Sequence, residues 1–191
     1  MNPVEIIAAH YRPGSALYEL LISHSRLVAH KALAVARKLE GWNLDLDFLQ
    51  EAAMLHDIGI FMTKTPELGC TGNLPYICHG YLGRALLERE GLARHGLVCE
   101  RHVGVGITEA EIQTRNLPIP LRDMTPQTME EQIICYADKF YSKNGHGHPV
   151  LEKSAEAICL GLSTYGQDKV DRFLSWHRQF EGPPNIESTQ G

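Results

Sequence analysis

The stretch Ala52-Ala53-Met54-Leu55-His56-Asp57-Ile58-Gly59 decides how this chain is interpreted. An apolar run ends there in adjacent histidine and aspartate residues, and a glycine follows two positions later. Upstream, apolar residues between positions 46 and 53 repeat with helical spacing, and Asp45 or Asp47 is available as the N-cap. We predict that Gly59 ends this helix in the left-handed conformation, which glycine adopts without a Cβ clash.

The pair His56-Asp57 is therefore predicted to lie in the last turn of a buried helix. An unpaired buried carboxylate is costly, so Asp57 needs a partner. A metal ion would satisfy the histidine and the aspartate at once. The alternative is an ordinary helix end that carries two polar side chains.

Composition limits the alternatives for fold, location and partners. At 191 residues and 43% hydrophobic, the chain is long enough for one good core and short for two domains. Its net charge of -5 argues against general nucleic-acid binding, which normally needs a basic face. Five scattered cysteines without a C-x-x-C pair suit a reducing cytosol. We expect a cytoplasmic protein, because the sequence lacks a signal-peptide pattern and an apolar run of about 20 residues.

The remaining periodicity predicts an all-α fold, a single helical bundle with a metal site in its core. The domain is predicted to span residues 1–182, with a motif core at 15–143 and a polar C-terminal tail at 183–191. A patternless loop from Ile60 to Pro75 leaves the His-Asp turn and is expected to border a pocket. A strongly patterned helix is predicted to open at Thr125-Pro126. The predicted helices cover about 4–11, 16–39 (as one helix or two), 46–57, 78–91, 93–103, 109–117, 125–140, 151–165 and 168–180.

Polar residues of metal-ligating type recur inside or at the ends of these apolar helices. Four imidazoles and two carboxylates are too many for one ion that also leaves room for a substrate, and they suit two ions that share a carboxylate. Each histidine alone is equally explained as a satisfied core or surface residue. The six candidate metal ligands are His24, His56, Asp57, His79, His102 and Asp138.

Three segments carry a family resemblance: His24-Ser25-Arg26-Leu27-Val28, Leu55-His56-Asp57-Ile58-Gly59 and Tyr136-Ala137-Asp138-Lys139. Their order resembles the HD-domain metal-dependent phosphohydrolases, in particular the members with an HDIG motif. The two additional histidines resemble the two-metal subset, which includes hydrolases of diadenosine polyphosphates and phosphodiesterases of cyclic dinucleotides. The Gly-Tyr-Pro signature of the cyclic-dinucleotide branch is absent, since Ile60-Phe61-Met62 follows Gly59.

The resemblance implies how the ligands are divided between two divalent ions. One ion would take His24, His56, Asp57 and Asp138, and the other would take His79 and His102, with Asp57 bridging both. Two ions about 3.5–4 Å apart would activate a hydroxide and polarise phosphoryl oxygens for in-line attack. Iron, manganese, magnesium, cobalt and nickel all remain candidates.

Cationic side chains near the motifs are candidates to bind the substrate phosphate, although each is equally explained as a solvated surface charge. Lys64 on the pocket loop and Lys139 beside a ligand are favoured, and with Asp57 they form the predicted catalytic set. Arg101 is equally explained as a salt-bridge residue. His146 and His148 are interpreted as a lid, a minor metal-binding tract or a plain flexible loop. The candidate substrate-binding residues are Arg26, Lys64, Arg101, Lys139 and Lys143.

These residues predict a metal-dependent phosphohydrolase that uses metal-bound hydroxide to cleave a phosphate ester or anhydride. The expected partner is a nucleotide or another small phosphorylated metabolite, without membrane or general nucleic-acid binding, and a homodimer is left open. The alternatives are a one-metal HD nucleotidase, with His79 and His102 as pocket residues, and a metal-binding nucleotide sensor without turnover. A structural helical module without bound metal is a third alternative.

Overall fold

The structure is a computed structural model that describes residues 1–143 and 151–182. The predicted tail at 183–191 and the histidines His146 and His148 lie outside these residues. The helices of the described part are α1 (Pro3–His10), α2 (Ala16–Lys38), α3 (Leu46–Leu55), α4 (His79–Arg89), α5 (Ala93–Arg101), α6 (Glu109–Arg115), α7 (Met129–Asp138), α8 (Ala155–Ser163) and α9 (Gln167–Glu181).

The prediction of an all-α fold is confirmed. The described residues contain one small sheet, in which β1 (Lys64–Thr65) pairs antiparallel with β2 (Cys70–Thr71). This hairpin and two short 3-10 turns give the predicted 60–75 loop more order than its sequence indicates. The buried residues Ile60, Thr63 and Cys70 fix it to the domain.

Helix starts follow local capping chemistry. Helix α2 runs without a break from the N-cap Ser15, so His24 lies within one long helix. The prediction that α7 opens at Thr125-Pro126 is wrong, because the helix begins at Met129. Its N-cap is Thr128, which forms a reciprocal capping box with Glu131.

The prediction that Gly59 adopts the left-handed conformation is also wrong. Its φ is -82°, so it does not adopt the left-handed conformation. A Cβ at this position would lie 2.2 Å from the carbonyl oxygen of His79 and 2.6 Å from the backbone nitrogen of Gly83. Glycine is therefore needed because α4 approaches the end of α3 too closely for a side chain.

The core lies where α2, α3, α5 and α7 converge, with α4 packed along α5. Fully buried residues such as Leu49, Leu55 and Ile133 fill its centre. Helix α9 covers one side of α7, where the ring of Phe173 stacks on Tyr136 with centroids 5.4 Å apart. This packing holds the ends of several helices against one another.

Within residues 1–143 and 151–182, no helix combines the length and apolar character that a bilayer span requires.

Candidate metal centre

The structure brings the six predicted ligands together. His24 lies within α2, His79 begins α4 and Asp138 ends α7, whereas His56 and His102 directly follow α3 and α5. Asp57 follows His56 outside α3. All six are buried, and Asp138 is the most exposed at 6%. Ligands from five helices therefore converge in the core of the bundle, as in other helical metal proteins.

Asp57 lies between two pairs of histidines. Its Oδ2 atom lies 3.3 Å from Nε2 of His24 and 3.1 Å from Nε2 of His56. Its Oδ1 atom lies 3.4 Å from Nε2 of His79 and 3.3 Å from Nε2 of His102. Each carboxylate oxygen thus faces one pair, which is the arrangement expected of a bridging ligand.

Asp138 completes the first group of ligand atoms. Its Oδ1 atom lies 3.0 Å from Nε2 of His24 and 3.4 Å from Nε2 of His56. Two groups of donors result, His24-His56-Asp57-Asp138 and Asp57-His79-His102, and within each group the ligand atoms lie within 4.8 Å of one another. Asp57 belongs to both.

Three of the imidazoles are oriented by their own chain segments. Nδ1–H of His56 donates to the carbonyl of Ala53 at 2.7 Å, and Nδ1–H of His79 donates to Tyr76 at 2.6 Å. His102 donates likewise to Cys99 at 2.7 Å. Because a carbonyl only accepts, Nδ1 of each of these rings carries a proton, and Nε2 is the ring atom that faces the centre.

The charges of the centre follow from burial and from the carboxylates. Burial lowers the pKa of His79 to about 3, with Asp57 opposing this shift, and it also lowers the pKa of His102. Burial lowers the pKa of His56 as well, but the charge of Asp57 and hydrogen bonding to Asp138 outweigh it and raise that pKa to about 9. Burial raises the pKa of Asp57 and Asp138, yet neighbouring cations bring both well below the usual value.

The chemistry of these donors fits divalent metal. Among the described residues, Nε2 of His56 and Oδ1 of Asp57 are buried without a hydrogen bond of good geometry. Buried polar atoms left this way need another partner, because each would otherwise lose solvation without compensation. Imidazole nitrogens and carboxylate oxygens in convergent positions supply that partner site for a cation.

A cleft of about 780 Å³ opens beside the first donor group. Asp138, Lys139 and Lys143 line it. Nζ of Lys139 lies 2.8 Å from Oδ2 of Asp138, and Nζ of Lys143 lies 2.7 Å from Oδ2 of Asp57. The predicted pocket loop does border the cleft, through Thr65 and the two residues that follow Pro66.

The other three predicted substrate-binding cations lie elsewhere. Arg26 is exposed on α2 and does not line the cleft. Lys64 is also exposed, because alternation along β1 turns Thr65 inward and Lys64 outward. Nη1 of Arg101 donates to both carboxylate oxygens of Glu131, at 2.8 and 3.0 Å, so its salt-bridge interpretation fits best. These positions remove all three from the substrate contacts that we propose.

Sequence reasoning missed other residues of the cleft wall. Lys153 lines the cleft although it lies after the three motif segments, and Tyr141 and Ser142 line it directly before Lys143. Tyr76 also lines the cleft, and the centroid of its ring lies 4.5 Å from that of His79. No periodic or motif signal marks Lys153, because its position depends on a contact with a distant residue, the carbonyl of Phe140.

Comparison with known families adds to this geometry. The model of the family described as "HD domain" matches residues 21–142. The chain belongs to the HD-domain family. This stretch of the HD domain includes all six candidate ligands as well as Lys139, and it ends one residue before Lys143.

Several relatives of this HD domain are known by name. It is 30% identical to the uncharacterized protein MJ0778 of Methanocaldococcus jannaschii in an alignment of 154 residues that covers 71% of this chain and 83% of that protein. It is 33% identical to the tRNA (cytidine(56)-2'-O)-methyltransferase of Thermoplasma volcanium over 69% of this chain. The methyltransferase of the same name from Picrophilus torridus is 32% identical over 65% of this chain.

The extent of these matches matters for function. The HD domain spans about a third of the length of the two methyltransferases, 34% and 32%. No solved structure gives a significant match. Membership in the HD-domain family implies divalent metal binding, and the two donor groups are the residues here that suit it.

Proposed function

We propose that this HD domain is a two-metal phosphohydrolase that cleaves a phosphate ester or anhydride of a nucleotide or another small phosphorylated metabolite. The observation that carries the proposal is the position of Asp57, with one oxygen facing His24 and His56 and the other facing His79 and His102. A one-metal site would need only the first pair.

The two ions would be held by the two donor groups, with Asp57 in common. When bound, such ions supply polarisation of phosphoryl oxygens and activation of water at neutral pH. The four imidazole nitrogens favour iron, manganese, cobalt or nickel over magnesium, which prefers oxygen ligands.

The side chains of the cleft would bind and orient the phosphoryl group. Lys143 is 14% exposed and Lys139 is 13% exposed, so both ammonium groups lie in partly desolvated positions beside the donors. A cation with few surrounding waters attracts a phosphate oxygen more strongly than one in bulk solvent. Tyr76 lines the same cleft and offers a ring face beside His79 for the remainder of the substrate.

The cellular setting that we propose is the cytoplasm. All five cysteines are free thiols, and four of them are buried. Free thiols of this kind are typical of a reducing compartment.

The experiment is metal analysis of the purified protein combined with hydrolysis assays. The panel contains nucleoside mono-, di- and triphosphates and sugar phosphates, tested with Mn²⁺, Fe²⁺, Co²⁺, Ni²⁺ and Mg²⁺. We expect two ions per chain and phosphate release that a chelator abolishes. One ion per chain with turnover would favour the one-metal nucleotidase, and bound metal without turnover would favour the nucleotide sensor. Absence of metal binding would overturn all three.

A phosphate group of tRNA is the second candidate substrate. The observation that favours it is the name of two relatives, which are tRNA methyltransferases. The net charge of -5 opposes it, because nucleic-acid binding normally needs a basic surface. Competition distinguishes the two: tRNA that inhibits hydrolysis of a mononucleotide at low salt, and does so less at high salt, would favour the RNA substrate.

A further inference from the structure

Lys153 lies on the rim of the cleft, outside the stretch that matches the HD-domain family. The backbone around it is tied to the domain in two ways. The backbone N–H of Lys153 donates to the carbonyl of Phe140 at 2.9 Å. The neighbouring Glu152 accepts hydrogen bonds from Lys31 at 2.7 Å and from the hydroxyl of Tyr141 at 3.1 Å. Lys153 is therefore held beside the cleft by specific contacts.

The three lysines of this cleft differ in their partners. Lys139 and Lys143 form ion pairs with Asp138 and Asp57. Within residues 1–143 and 151–182, no carboxylate lies within 4.0 Å of Nζ of Lys153. Its charge is the one lysine charge on the cleft wall without an anionic partner in the described part of the chain.

Lys153 is an exposed side chain on the rim, and it shares the cleft wall with two other lysines. Partial burial lowers the pKa of Lys153, and the charges of Lys139 and Lys143 add to this effect against the attraction of Asp138. Glu67 also lines the cleft but does not pair with Lys153. An anionic ligand group would relieve this repulsion.

We propose that Lys153 binds a second anionic group of the substrate, separate from the phosphoryl group beside the metal ligands. The substrate class is therefore a compound with two phosphate groups, as in a nucleoside diphosphate or a sugar bisphosphate. This inference rests on the proposed function, because it assumes that one phosphoryl group binds at the donor cluster. The cleft of about 780 Å³ reaches from Asp138 to Lys153, so one ligand can contact both.

The test compares the binding of pyrophosphate and orthophosphate by isothermal titration calorimetry. We expect wild-type protein to bind pyrophosphate at least tenfold more tightly than orthophosphate. Lys153→Ala should lose most of this ratio, with orthophosphate affinity unchanged within about twofold, and Lys153→Arg should restore part of it. Lys38→Ala is the matched control, because Lys38 is an exposed lysine at the end of α2 whose partner is Glu181.

Both ligands are titrated into Mn²⁺-loaded protein and into chelator-treated protein, since the second preparation has no ions for pyrophosphate to remove. Circular dichroism confirms that each variant and each preparation is folded. A wild-type ratio near one, or an unchanged ratio in Lys153→Ala, would overturn the role of Lys153. Failure of the hydrolase proposal would give a different result. Pyrophosphate would still bind more tightly than orthophosphate in a way that depends on Lys153, but no phosphate would be released from any substrate.

Discussion

Nζ of Lys143 lies 2.7 Å from Oδ2 of Asp57, the same carboxylate oxygen that faces His24 and His56. Burial lowers the pKa of Lys143, but the charges of Asp57 and Asp138 outweigh it and raise that pKa well above the usual value. A fixed ammonium group therefore adjoins the proposed bridging ligand.

Replacement of this ammonium tests its role in substrate binding. We expect Lys143→Met to lower kcat/KM at least tenfold, about 1.4 kcal/mol of transition-state stabilisation, because a phosphate contact is lost. Metal affinity should not fall, since the change removes a cation that competes for Asp57. Steady-state kinetics and metal titration of the same preparation check both parts. Loss of metal with unchanged kinetics at saturating metal would contradict the assignment.

Lys64 provides the opposite expectation. Its side chain is exposed and turned away from the cleft, so Lys64→Ala should change kcat/KM by less than about twofold. The measurement uses the best substrate of the phosphate panel. A tenfold loss would return Lys64 to the catalytic set that the sequence predicts.

The metal content of two variants tests whether Asp57 binds both ions. Asp57→Ala should lose both ions and all hydrolysis, whereas His79→Ala should lose mainly one ion, because Asp57 belongs to both donor groups and His79 to one. Mass spectrometry of the metals, on protein shown to be folded by circular dichroism, gives the stoichiometry. The folding check is needed because empty buried sites affect stability. Equal losses in the two variants would argue against bridging by Asp57.

The close contact at Gly59 predicts a cost in stability. Gly59→Ala should destabilise the fold by about 2 kcal/mol or more, because its Cβ would overlap the His79 carbonyl and the Gly83 nitrogen. It should also lower metal content by moving α4, which carries His79. Gly161→Ala is the control, since a Cβ there meets nothing within 4 Å and alanine favours the helix. Urea unfolding measures both, and a neutral Gly59→Ala would contradict the packing argument.

The ion pair between Glu111 and Lys169, which lies away from the metal centre, should make the free energy of unfolding depend on pH. Burial raises the pKa of Glu111, but the hydrogen bond from Lys169 and those of Thr108 outweigh it and lower that pKa below the usual 4.5. A lowered carboxyl pKa gives stability that is complete above the unfolded-state pKa and is lost as pH falls through the folded-state pKa.

Glu111→Ala should therefore cost about 2 kcal/mol at pH 7, because it removes the nearest carboxylate of the buried Lys169 and the capping box with Thr108. The difference from wild type should shrink as pH is lowered from about 5 toward 3. Glu109→Ala, in the same first turn of α6 and exposed, is the control. Urea titrations across this range measure the change, and a cost independent of pH would contradict ionisation of Glu111 as its origin.

The sequence predicted the helical fold and the six convergent residues well, because helical periodicity and motif order both reflect local chemistry. It failed where long-range contact decides. Gly59 is required by the approach of Gly83, a residue 24 positions away, rather than by its own φ. Lys64 and Thr65 are neighbours in the sequence, and only the pairing of β1 with β2 determines which of them faces the cleft.

The start of α7 was also predicted wrongly from the sequence. The sequence predicts a helix start at Thr125-Pro126, whereas the reciprocal bonds between Thr128 and Glu131 place it three residues later. The N–H of Thr125 instead donates to the side chain of Asp123 at 2.9 Å, which gives a turn. Lys153 carried no local signal at all.

The carbonyls that accept from the histidine rings have a consequence for how the centre is assembled. His56, His79 and His102 each donate to a carbonyl three residues earlier in the chain. Each ring is therefore aligned by its own turn of backbone and needs no residue from a distant helix to select its tautomer. Helix packing determines where these nitrogens lie, whereas the Nδ1 proton of each ring is already placed within a four-residue segment.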